Sequence, residues 1–103
     1  MNYKITRETI NSQLNSLESN KRFLINNVGI DVTRGGKFKV RPAEKTPSCV
    51  INKDGSFHDY GTGEHYKDIV SLLYDGYRAF DSLTDTMKWV CEELGIDWEV
   101  YYG

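Results

Sequence analysis

Between residues 30 and 60 the hydrophobic pattern has a period of two, while on either side it has the period of a helix. That change of period limits the chain to a small mixed fold. Two glycine turns, Arg34-Gly35-Gly36 and Lys53-Asp54-Gly55, divide the central region into segments 30–33, 37–41, 48–52 and 56–60. Turn signals of this kind between alternating segments predict two antiparallel hairpins. Within Lys37-Phe38-Lys39-Val40-Arg41 the alternation sends Phe38 and Val40 to one face and three cations to the other. One face of the sheet is therefore expected to be basic.

The flanks read as helices. Thr6 is a candidate cap for a helix over 7–18, with Ile10, Leu14 and Leu17 on one face. A shorter helix fits 20–28, where Phe23, Leu24 and Val28 line up and Gly29 supplies a left-handed stop. After Gly61-Thr62-Gly63, the residues Asp68, Ile69, Leu72 and Leu73 predict a helix over 66–75 ending at Gly76. A last helix is expected over 83–94, capped by Ser82 or Asp81 and stopped by Gly95, with Met87, Val90, Cys91 and Leu94 as its core stripe. The tail 96–102 is aromatic and reads as extended. The expected class is α+β, with a small antiparallel sheet of two hairpins between N- and C-terminal helices in a single domain. Repeats, low-complexity runs and interdomain linkers are absent from the sequence.

At 103 residues the chain holds a modest core, near the size where domains often lean on metals or disulfides. Its composition, 39% apolar and 13% aromatic, is that of a globular chain and not of a disordered one. The net charge of -2 gives no global attraction to nucleic acid, but the charge is unevenly spread. Arg34, Lys37, Lys39, Arg41 and Lys45 face Glu44 alone within 34–45, whereas 81–99 carries six acids against Lys88. Cys49 and Cys91 sit in apolar runs and read as buried free thiols of a reducing compartment. No signal peptide, membrane-spanning run or lipidation motif is recognisable, so a cytoplasmic location is expected.

Two further elements carry a resemblance. Glu44-Lys45-Thr46-Pro47-Ser48 is followed by Phe57-His58-Asp59-Tyr60-Gly61-Thr62-Gly63 and then by Asp68-Ile69. This resembles the zinc-ribbon domain at the N-terminus of bacterial and phage DNA primases, over about residues 20–97. In that family a Cys-Pro-x-His element runs into Glu-Lys-Thr-Pro-Ser-Phe, and a second element reads roughly Phe-His-Cys-Phe-Gly-Cys-Gly. Here the first element is reduced to Arg41-Pro42-Ala43, the two later cysteines fall on Asp59 and Thr62, and Cys49 replaces the usual Phe. Residues before 20 lie outside the resemblance, and Gly95-Ile96 falls within it. The order helix, two hairpins, helix, helix is what the resemblance implies.

Structural zinc needs four thiolate or imidazole donors arranged tetrahedrally. Arg41 cannot ligate, Ala43 has no donor and Thr62 is a poor one, so neither metal nor cofactor is expected. A substitute site from His58, Asp59 and His65 is disfavoured, because alternation points His58 and Asp59 to opposite faces. Phe38, Val40, Val50, Ile51, Phe57 and Tyr60 are expected to hold the ribbon in place of the ion. Asp59 and Thr62 fit reuse as turn residues accepting backbone N–H groups.

The resemblance implies a non-catalytic accessory module of replication priming that engages single-stranded template DNA on its sheet face. Single-strand binders combine cations that follow phosphates with rings on which bases stack. Candidates are Arg34, Lys37, Lys39, Arg41, Lys45 and Lys67 for phosphate, Thr46 and Ser48 for hydroxyl contacts, and His58 and Tyr60 for bases. Tyr66 is the other ring that does not read simply as core. The plainer alternative for the cations is a solvated sheet face. A polymerase, primase or helicase acting in trans is the expected partner. The other function class is a protein–protein adaptor or inhibitor that retains only the fold, docking through Trp98, Tyr101 and Tyr102; alternatively Trp98 packs back on the last helix. Catalysis is not expected, since no nucleophile–base pair, carboxylate dyad, phosphate-binding glycine loop or acidic metal cluster is recognisable.

Overall fold

A computed structural model describes residues 3–41 and 43–96. Its elements run α1 (Tyr3–Gln13), α2 (Leu17–Phe23), β1 (Lys37–Phe38), β2 (Cys49–Ile51), β3 (Phe57–Asp59), β4 (His65–Tyr66), α3 (Ile69–Ser71) and α4 (Leu83–Leu94). The class is α+β, a small antiparallel sheet with helices on both sides of it in the chain. The strands lie in the order β1-β2-β3-β4, so each pairs with its neighbour in sequence.

Local chemistry sets the helix ends. Ser16 and Ser19 form a reciprocal capping box at the start of α2. Asp68 caps α3 by accepting from the Ser71 N–H at 2.9 Å, and Ser82 caps α4 by accepting from the Asp85 N–H at 3.0 Å. Both α2 and α3 widen into a π-helical turn, over Leu24–Val28 and Leu72–Gly76. In each the closing N–H reaches back five residues, from Gly29 to Leu24 O at 2.8 Å and from Tyr77 to Leu72 O at 2.9 Å.

The core joins the inner face of the sheet to the helices. Phe38, Cys49, Ile51 and Phe57 from the strands meet Ile10, Phe23, Leu24, Ile69, Leu72, Met87 and Val90 from the helices. Phe38 and Phe57 pack edge to face with centroids 5.9 Å apart. The N-terminal helix is anchored to this body by charge as well as packing. Arg7 donates to both oxygens of Asp68, from Nε at 2.8 Å and Nη2 at 2.9 Å, and Asn11 Nδ2 adds a bond at 2.9 Å. Burial alone would raise the Asp68 carboxyl, but these bonds and the Ser71 N–H outweigh it and hold the group below its ordinary value. The β2–β3 turn closes against the α1–α2 connection. Gly55 has φ +89°, and a Cβ there would stand 3.0 Å from Leu14 O, so both conformation and contact require glycine.

Several expectations are met. The hairpin around Lys53-Asp54-Gly55 forms, α4 spans 83–94 with Ser82 and Gly95 at its ends, Gly29 adopts φ 84°, and Cys49 and Cys91 are buried free thiols. Others need correction. Thr6 does not cap a helix; it is buried inside α1, which begins at Tyr3 and ends at Gln13, while Leu17 opens α2. Residues 30–33 form no strand: Gly36 N–H closes a turn on Thr33 O, and β1 pairs instead with β2, Lys37 against Val50 and Phe38 against Cys49. The third helix starts at Ile69 because residues 65–66 are drawn into the sheet as β4. Val50 is only half-buried and Tyr60 is 72% exposed, so neither belongs to the core that Phe38, Val40, Ile51 and Phe57 do supply. Among the described residues no helix is long and apolar enough to cross a membrane.

Candidate nucleic-acid interface

Strand register builds the outer face of the sheet. Lys37 lies opposite Val50, Val50 opposite His58 and His58 opposite His65, so one row crosses all four strands. Two residues beyond His58, Tyr60 returns to the same side of the strand. The His58 and Tyr60 rings meet edge to face with centroids 4.4 Å apart, and His65 lies 6.3 Å from His58. Tyr60 is fixed through its backbone, its N–H donating to Ser48 O at 2.9 Å, while its ring remains in solvent. Lys37, Lys39 and Lys67 are exposed, as is Arg34 in the turn before β1. The Lys39 carbonyl is held by the Tyr77 hydroxyl at 2.8 Å, which steadies the chain just beyond β1. The outer face therefore presents rings flanked by ammonium groups, a combination suited to stacking bases and neutralising phosphates.

The inner end of the same sheet is organised differently. Arg41 turns to Asp59, whose side chain is fully buried; Nη1 meets Oδ2 at 2.8 Å and Nη2 meets Oδ1 at 3.3 Å. Nη2 also reaches Glu44 Oε2 at 3.1 Å, and Glu44 Oε1 accepts from the backbone N–H groups of Val40 and Arg41 at 3.2 and 3.0 Å. Ser48 Oγ donates to Glu44 and lies 3.3 Å from Asp59 Oδ1. Arg41 above all, set against the opposing effect of burial and helped by the Gly61 N–H, holds the Asp59 carboxyl at about 2. The Ser48 hydroxyl and the Arg41 backbone lower Glu44, and the bond to Asp59 raises Arg41. Burial, with the Asp59 charge adding to it, pushes the Cys49 thiol up to about 12, so it stays protonated and unreactive.

The turn that follows uses Asp59 and Thr62 as expected. Asp59 Oδ1 accepts from Gly61 N–H at 2.8 Å and Thr62 Oγ1 accepts from Glu64 N–H at 3.2 Å. A zinc ion does not fit these positions. A guanidinium stands where the first ligand would be, Ala43 offers no donor, and the one carboxylate is already surrounded by N–H and O–H donors. Among the described residues no group of three or more His, Cys, Asp and Glu side chains is placed to hold a metal.

The sequence candidates thus separate into two sets. Lys37, Lys39, His58 and Tyr60 share the outer face or its rim, with Lys67 beyond β4. Arg41 and Ser48 belong to the internal network, and Lys45 and Thr46 are exposed in the loop between β1 and β2. Trp98, Tyr101 and Tyr102 lie outside the described residues. Sequence reasoning missed the Arg41–Asp59 pair; its only signal was that opposite charges fall at residues 41 and 59. It also missed the Tyr77 hydroxyl that holds the Lys39 carbonyl, and Tyr66, expected to stand apart from the core, is buried within it. No family model matches the chain, and no curated protein or solved structure is significantly similar to it.

Proposed function

We propose that this protein is a non-catalytic accessory module of DNA replication priming, which holds single-stranded template on the outer face of its sheet and docks on a polymerase, primase or helicase supplied in trans. The observation that carries the reading is the exposed Tyr60 ring set against His58 in the row that begins with Lys37. An exposed ring at the end of a strand, anchored through its backbone N–H, offers a base a stacking surface that needs little reordering, and lysines on the same face follow the phosphates. Similarity to the primase zinc ribbon in Glu44–Ser48 and in Phe57–Gly63 supports the same reading. Under it, the Arg41–Asp59 pair ties together two chain segments that the primase ribbon joins through an ion, and buried rings supply the remaining cohesion.

The test is fluorescence anisotropy with a labelled oligothymidylate across a range of salt concentrations. Lys37→Glu with Lys39→Glu should weaken binding and flatten its salt dependence. The log–log slope should fall by about 0.7 for every phosphate that is no longer neutralised. Tyr60→Ala should cost about tenfold in affinity, within the range of one base–ring stack. Unchanged affinity in both variants would remove the sheet face from the proposal.

A further inference from the structure

On the helix side of the sheet, at its β4 edge, a cleft of about 810 Å³ opens between β4, the turn after Thr62 and the π-helical turn Leu72–Gly76. Tyr66, Tyr74 and Phe80 contribute rings to it, and Glu64, Asp75 and Asp81 contribute carboxylates. Arg41 and Arg78 also reach its wall, but Arg41 is already neutralised by Asp59 and Glu44. Three carboxylates against the single remaining guanidinium leave the cleft negative. A phosphodiester is repelled there, in contrast to the lysine-flanked face of the same sheet.

A second observation points to a ligand. Tyr66 is only 7% exposed, yet its hydroxyl has no hydrogen-bond partner among the described residues and stands at the wall of this cleft. Gly76 leaves the phenol end uncovered, since a Cβ there would lie 3.2 Å from Tyr66 Cζ and 3.4 Å from its hydroxyl oxygen. Burial, with the charges of Asp59 and Glu64 adding to it, raises the phenol above its ordinary value, so it remains a neutral donor and acceptor. The hydroxyl oxygen is thus left open at the cleft wall, free to accept a hydrogen bond from a ligand donor.

We infer that this cleft receives an arginine side chain of a partner protein, its guanidinium stacked on the Tyr74 or Phe80 ring and hydrogen-bonded to the Tyr66 hydroxyl and to the Glu64 and Asp75 carboxylates. Guanidinium is the group that both stacks on a ring and bonds planar carboxylates with several N–H donors. The inference deepens the docking half of the proposed function and rests on that half alone. It gives the two sides of the sheet opposite tasks, nucleic acid on the lysine side and protein on the carboxylate side.

Binding of a labelled hexa-arginine peptide to the full chain tests it, with hexa-lysine and an oligothymidylate as parallel probes. Tyr66→Phe keeps the buried ring and should weaken hexa-arginine about tenfold, the low end for one hydrogen bond to a charged group. Glu64→Gln with Asp75→Asn should weaken it about tenfold or more, whereas Glu8→Gln, an exposed carboxylate of α1, should leave it unchanged. Oligothymidylate affinity should be the same in all of these variants, so loss of template binding elsewhere does not disturb the result. The inference is overturned if hexa-lysine binds as tightly as hexa-arginine, if Glu8→Gln is as damaging as the cleft variants, or if the cleft variants leave the peptide untouched. It is overturned equally if the cleft variants lose the oligonucleotide in place of the peptide.

Discussion

The outer face and the inner end of this sheet draw on similar residues and put them to opposite use. On the outer face Lys37 and Lys39 stand in solvent, separated by one strand, β2, from β3 and the His58 and Tyr60 rings. At the inner end Arg41 is two residues further along the same segment, yet it is bound to Asp59, Glu44 and Ser48. Because β1 ends at Phe38, strict alternation no longer governs Arg41, and the nearest buried carboxylate decides where its guanidinium goes. A run of cations at period two therefore contains both lysines left in solvent and a structural tie. Charge pattern alone does not separate them; the presence of a fixed counter-charge does.

The largest effect expected from breaking that contrast lies at Asp59. Asp59→Asn keeps the volume but leaves Arg41 without its main partner, and should lower unfolding free energy by about 2–3 kcal/mol in urea titration. Acid should reveal the same group. Asp59 titrates at about 2 when folded, against 3.8 for an unperturbed carboxyl. A lowered carboxyl contributes stability that is present in full above its unfolded value and is lost as pH falls toward the folded one. The parent should lose stability as pH falls from 3.8 to about 2, and Asp59→Asn should flatten that part of the curve without abolishing it. Some acid dependence remains because Glu44, Asp54 and Asp68 are also lowered. A variant as stable as the parent, with an identical acid limb, would mean that the network is ornamental and that apolar packing alone holds this end of the sheet.

A smaller perturbation sharpens the same point from the backbone side. A Cβ at Gly61 would stand 2.8 Å from Arg41 Nη2 and 3.1 Å from Asp59 Oδ1. Gly61→Ala therefore presses on the ion pair without removing a charge, and should cost about 1 kcal/mol. Thermal unfolding of Gly61→Ala, Asp59→Asn and the double variant checks whether they share a mechanism. If Gly61→Ala acts only through the pair, the double variant should be no less stable than Asp59→Asn alone.

What the sequence makes legible follows from how local each signal is. Ser82, Gly95 and the stripe Met87-Val90-Cys91 define α4 because caps and periodicity act within a few residues. The turn at Lys53-Asp54-Gly55 is equally local, since Asp54 Oδ1 accepts from the Ser56 N–H at 2.9 Å. The segment 30–33 carries an alternating pattern but forms no ladder, because its bonds to β1 are confined to Thr33 at the turn. Conversely β4 has only His65 and Tyr66, too short to show any period. For the site, the cations and Tyr60 are visible in the sequence, and so is the reuse of Asp59 and Thr62 in the turn. The pairing of Arg41 with Asp59, 18 residues apart, and the uncovered Tyr66 hydroxyl require the fold.

The smallest expected effect on stability belongs to the outer face, and it is the sharpest discriminator between the two regions. Tyr60 makes its structural contribution through its backbone N–H, which any residue but proline supplies, and its ring is 72% exposed. Lys37 likewise makes its turn contacts through the main chain, its N–H donating to Thr33 Oγ1 at 3.0 Å and its carbonyl accepting from Thr33 N–H at 2.9 Å. Tyr60→Ala and Lys37→Ala should therefore each shift unfolding free energy by no more than about 0.5 kcal/mol, as surface substitutions do. Their urea midpoints should overlay the parent even while oligothymidylate affinity falls. If Tyr60→Ala instead destabilises as much as Asp59→Asn, the ring against His58 is part of the fold's cohesion and the two faces differ less than their geometry implies.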